Sequence, residues 1–157
     1  MSPPYVRLLM AVFLALILMV VSLPEQLALV RPLWVLLLVL YVQVTLPSAF
    51  QVSGLFLLGL TLDVLCPSVM GQHVLALILS SWCVSGRARR FKFFSMTQQM
   101  AWVLLLSVIY QLTLLLSNLV LGYPVGPLFM VLPVCMTTLI WPWVKLLADR
   151  AFLVLIR

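Results

Sequence analysis

Three carboxylates and one imidazole are the first candidates for acid–base chemistry in this chain, and they are few: Glu25, Asp63, Asp149 and His73. General acid–base catalysis needs a tuned group beside the reacting proton, and nucleophilic catalysis needs an activated side chain beside a base. No Ser/His/Asp or Cys/His constellation is apparent, and there is no P-loop, HExxH pair or dinucleotide-type glycine pattern. Cys66, Cys83 and Cys135 form no CxxC pair and join no His-containing cluster. They read as small apolar packing residues. The expectation is therefore no catalytic residue, no metal and no cofactor.

Asp63 is the most informative of these groups. It lies within the apolar run Val52–Cys66. An ionised Asp at the centre of a membrane costs about 2.5–3.5 kcal/mol, so it needs a partner. Arg31 opens one neighbouring run and His73 another. If the runs are antiparallel hairpins, all three residues fall at a similar depth on one face. Asp63 is expected to pair with Arg31, His73 or both. The pairing is read either as a structural salt bridge or cap that locks the hairpins, or as a polar pocket for a partner or ligand.

Other polar and small residues suggest packing. Gly59 precedes Asp63 by one turn and Gly54 lies further back, so both allow close helix approach. Ser107, Gln111 and Asn118 fall within about 40° of one another on a helical wheel. That stripe is read as a seam of interhelical hydrogen bonds, either internal or facing another membrane protein. Trp141-Pro142-Trp143 beside Lys145 reads as an aromatic belt, with Pro133 and Pro142 expected to kink their helix.

The elements that must position these residues are apolar throughout. Of the 157 residues, 66% are hydrophobic and only 8% are charged, against roughly 25% charged in soluble domains. A water-soluble monomer is excluded, as is a disordered chain. Six runs stand out, at about 8–23, 33–46, 52–66, 72–85, 101–121 and 128–147. The expected architecture is an all-α polytopic membrane protein of six transmembrane helices in one domain, 1–157.

The net charge of +6 is positional. Arg87, Arg89, Arg90 and Lys92 form one basic loop, and Lys145, Arg150 and Arg157 cluster near the C-terminal end. The positive-inside rule places these segments and Arg7 in the cytoplasm, giving an N-in, C-in topology with only Arg31 outside. Glu25 then falls in an outer loop and Asp149 in the inner tail. The basic loop could also attract anionic lipid head groups. No polar fold carries the patch, so nucleic-acid binding is not expected. A run of about 15 residues rises only about 22 Å, short of a hydrocarbon core about 30 Å thick. Runs two to four are thus expected to recruit loop residues, thin the bilayer locally or sit against the longer fifth and sixth helices, in a compact bundle with tight hairpins in its first half.

Taken together, several stretches resemble a known family. Arg31-Pro32-Leu33-Trp34, the series Gly54, Gly59, Asp63 and Gly71, and Trp141-Pro142-Trp143 resemble signatures of MreD, the bacterial rod shape-determining membrane protein. The order of runs and the basic loop fit as well. The resemblance implies a multi-pass protein of the bacterial inner membrane that partners MreC. The assembly it implies also contains MreB, RodZ, RodA and penicillin-binding protein 2. It implies a fold like the S component of energy-coupling-factor transporters, and no enzymatic activity. Two functions follow as expectations. One is a non-catalytic scaffold that helps regulate peptidoglycan synthesis. The other is an S-component-like binder of a small vitamin or lipid-linked molecule, with Arg31, Asp63, Gln72 and His73 at its outer mouth.

Overall fold

The computed structural model describes residues 4–20, 31–45, 52–66, 69–86, 88–91, 93–123, 126 and 128–153. Among them are seven helices: α1 (Pro4–Val20), α2 (Trp34–Thr45), α3 (Val52–Leu65), α4 (Gln72–Ser85), α5 (Ala88–Phe91), α6 (Met96–Val120) and α7 (Leu128–Leu153). There is no strand among the described residues. Two helices, α6 and most of α7, are long and apolar enough to cross a membrane. The four others of more than ten residues are shorter.

The surface is inverted relative to a soluble protein. Leu9, Met10 and Phe13 of α1 and Leu112, Leu116 and Leu119 of α6 are exposed. Ser80, Ser107, Thr137 and Gln99 are buried. Such an outside suits acyl chains, and interior polar groups then act as interhelical links.

α2 is the hub. Its sequence is hydrophobic all round, which marks a helix enclosed on every side, and nine of its residues from Val35 to Val44 are buried. It touches α1, α4, α5 and α7. At about 18 Å it is too short to cross a membrane alone, so its neighbours must enclose its ends. The Thr137 hydroxyl of α7 accepts from the Leu33 amide at 2.9 Å and so holds the start of α2. Near the other end, Gln43 donates to the Ser81 hydroxyl of α4 at 2.8 Å.

α3 and α4 form a tight hairpin, α4 packs on α6, and α6 on α7. α6 begins at Met96, five residues before the expected start, because Ser95 and Gln98 form a capping box. It ends in a Schellman turn. The Gly122 amide bonds to Leu119 at 3.1 Å and Tyr123 to Asn118 at 2.9 Å, with Gly122 at φ 79°.

α7 corrects one expectation. It continues past Leu147 to Leu153, so Asp149 sits on a helix and not in a tail. Pro133 and Pro142 both lie inside this helix. The basic segment is corrected too, since it contains one helical turn, α5, which bears Arg89 and the exposed Arg90. Arg87, Lys92, Arg157 and Glu25 lie outside the described residues.

Candidate functional site

The α3–α4 hairpin explains how a carboxylate sits among apolar helices. Gly71 is the N-cap of α4 and has no side chain to cap it. The first amides of a helix are orphan donors and carry the positive end of its dipole. Asp63 fills the gap from the last turn of α3. Its carboxylate accepts from the Gly71 amide at 2.7 Å, the His73 amide at 3.0 Å and the His73 Nδ1 at 2.9 Å. The Asp63 side chain is fully enclosed and that of His73 nearly so. Three donors and a helix terminus stabilise an anion that would otherwise be costly there.

The first turn of α4 is anchored on α6 as well. The His73 ring meets Tyr110 edge-on at 6.1 Å, and Gln72 donates to Asn118 at 3.0 Å. Arg31 donates to the Met19 carbonyl, which ties the segment before α2 to α1.

Gly59 permits this geometry. A Cβ built at Gly59 would lie 2.6 Å from the Val74 Cα and 2.9 Å from its amide nitrogen. The two backbones are nearly in contact one turn from Asp63. Gly54 is only half-buried. The stripe on α6 divides. Asn118 bridges to α4, and Gln111 is half-buried. Ser107 is buried but donates to Val103 on its own helix at 2.7 Å, which is not the interhelical bond expected of it.

A second polar centre lies at the end of the molecule bearing α5, and Gln99 is its hub. Its carbonyl accepts from the Lys145 ammonium at 2.8 Å and the Trp141 indole at 3.4 Å. Its amide donates to the Phe94 carbonyl at 3.0 Å. Nearby, the Tyr41 hydroxyl donates to Asp149 at 2.9 Å. Tyr41, Phe91, Gln99, Trp141, Lys145 and Asp149 line a cavity of about 320 Å³. The tryptophan pair is therefore not one interfacial belt: Trp143 is 70% exposed, whereas Trp141 is 1% exposed and meets Phe91 edge-on at 6.0 Å. The signal for this centre was the spacing of four in Trp141, Lys145 and Asp149, which lines them along one helix face.

No group of three or more His, Cys, Asp or Glu that could hold a metal occurs among the described residues. The described arrangement builds helix caps, interhelical bridges and a cavity.

Comparison with known proteins agrees with the pattern of residues. The family model for MreD, rod shape-determining protein MreD, matches residues 3–151. The rod shape-determining protein MreD of Haemophilus influenzae is 28% identical over 127 residues, which cover 81% of this chain and 78% of that protein. No solved structure matches the chain.

Proposed function

The chain belongs to the MreD family, and we propose that it is a non-catalytic, multi-pass component of the bacterial inner membrane acting in the cell-elongation complex. In this reading six helices cross the bilayer with both ends in the cytoplasm, in an S-component-like arrangement. The chain binds MreC and helps regulate lateral peptidoglycan synthesis alongside MreB, RodZ, RodA and penicillin-binding protein 2. The basic segment around Arg90 faces anionic lipid at the cytoplasmic surface. The family match over residues 3–151 carries the proposal. Exposed apolar side chains on α1 and α6 supply a surface on which a partner's membrane helix can pack.

The alternative, a vitamin-binding S component with its site around Asp63, is less well supported. The Asp63 carboxylate already accepts three internal hydrogen bonds and is fully enclosed. It serves α4 and has little left for a ligand. Depletion separates the readings: loss of rod shape with normal vitamin uptake is expected, and normal shape with a vitamin requirement would refute the scaffold. Copurification with MreC tests the partner. Reporter fusions at Arg90 and Tyr123 test the topology, with a periplasmic signal at Arg90 as the refuting result.

A further inference from the structure

The polar cavity around Gln99 adjoins an apolar groove of about 470 Å³ that is open on one side. The groove runs between α1 and the inner faces of α2 and α7, past Ala11, Leu14, Leu38 and Leu147. Tyr41 lines both spaces. From Leu8 to Leu18 the α1 wall is about 15 Å long at 1.5 Å per residue, half the thickness of a hydrocarbon core. That is the depth of one leaflet.

The cavity at the end of this groove has a particular charge pattern. Lys145 and Asp149 lie one turn apart on α7 and both line the cavity. Each meets a neutral group and not the other: Lys145 bonds to the Gln99 carbonyl and Asp149 to the Tyr41 hydroxyl. A half-buried cation and a half-buried anion, neither with a counter-ion among the described residues, favour a ligand that brings both charges. An ammonium donates three hydrogen bonds and a carboxylate accepts about four, so each has capacity beyond these contacts.

We propose that this groove and cavity form a binding site for a zwitterionic aminophospholipid. The phosphate faces Lys145, the primary ammonium faces Asp149, and one acyl chain lies in the groove between α1 and α7. The cavity lies beside α5, the helical turn of the basic segment, so the lipid comes from the leaflet on that side. The site rests on the membrane reading of the chain and is independent of the proposed protein partner. A purely anionic headgroup satisfies Lys145 but repels Asp149, so net charge alone does not give this selectivity. The lipid also fills space that α1, packed chiefly on α2, leaves open towards α7.

The test uses the full chain in detergent, titrated with dioleoyl phosphatidylethanolamine, phosphatidylglycerol or phosphatidylcholine and read by native mass spectrometry. Phosphatidylethanolamine is expected to bind most tightly. Phosphatidylcholine, whose quaternary amine cannot donate a hydrogen bond to Asp149, is expected to bind about tenfold more weakly, the worth of one charge-assisted bond. Asp149→Asn should abolish that preference, and Lys145→Gln should weaken all three lipids. Ala11→Phe, which fills the groove without touching the cavity, should reduce binding while the melting temperature in detergent stays near that of the parent chain. A phosphatidylethanolamine bearing a diazirine in its acyl chain should label the 8–18 segment. Equal binding of all three lipids, phosphatidylglycerol preference that survives Asp149→Asn, or labelling outside α1, α2 and α7 would overturn the proposal. So would a photocrosslinker at Leu14 that captures a protein helix in membranes and no lipid.

Discussion

Replacing Gly59 by Ala puts the α3–α4 hairpin under a defined strain. The new Cβ would sit 2.6 Å from the Val74 Cα, whereas ordinary contacts begin at 3.4 Å. The two helices must therefore part by about 0.8 Å at this point. Overpacking of this kind costs roughly 1–3 kcal/mol, offset by about 1 kcal/mol from the better helix propensity of Ala. A second loss follows one turn along. The Asp63 bonds to α4, now 2.7, 2.9 and 3.0 Å, would reach or pass the limit of about 3.5 Å if the separation carried through. Losing even one bond to the carboxylate adds about 1.5–3 kcal/mol. The expected net destabilisation is about 2–4 kcal/mol. Unfolding by sodium dodecyl sulfate in mixed micelles, followed by circular dichroism, measures it directly. Complementation of rod shape in depleted cells reads the consequence. Trimming the neighbour discriminates the cause. Val74→Ala removes the Cγ2 at 2.9 Å but leaves the Cα and nitrogen in place, so the double variant should stay destabilised. A Gly59→Ala protein as stable as the parent, or one rescued by Val74→Ala, would refute the backbone-contact argument.

Other expected outcomes concern the same two polar centres. Gly71→Ala should lose roughly 1–2 kcal/mol through backbone strain alone, since Gly71 has φ 99° and open space around it. Gly71→Asn should lose less in the same unfolding assay, because Asn tolerates that region. Asp63→Ala orphans the Gly71 and His73 amides and the His73 ring, at a cost of order 3–5 kcal/mol. Asp63→Asn should fall between that variant and the parent, and equal stability of all three proteins would contradict the capping role. Gln99→Leu removes the acceptor of Lys145 and Trp141 and the donor to Phe94. It should cost about 2–4 kcal/mol and raise proteolysis between α4 and α6, and an unchanged digestion pattern would count against Gln99 as the hub.

Much of the architecture is written in the order of residues because the constraints are local. Fourteen-residue apolar stretches bounded by Pro and Gly have few options besides helices, and the expected fourth run coincides with α4 (Gln72–Ser85). The third run matches α3 to within one residue of its end. The basic segment after α4 is equally local, since lysines and arginines do not enter an apolar bundle cheaply. Asp63 is conspicuous for the same reason: one carboxylate in an apolar run must find donors, and its near neighbours in the chain supply them. The Ser95–Gln98 capping box was also present as a spacing, and it accounts for the earlier start of α6.

What the sequence leaves open is everything that depends on helices far apart in the chain. Trp141 looks like an interfacial anchor until α7 is laid against Phe91 and Gln99, when it becomes part of the interior. Ser107 looks like an interhelical bonder, yet its hydroxyl donates to the Val103 carbonyl one turn back. Lys145, Asp149, Tyr41 and Gln99 share a cavity although more than a hundred residues separate Tyr41 from Asp149. A side chain's type and periodicity state what it needs, a donor, an acceptor or a space. Which distant residue meets that need is set by the packing of whole helices, and only the tertiary structure decides it.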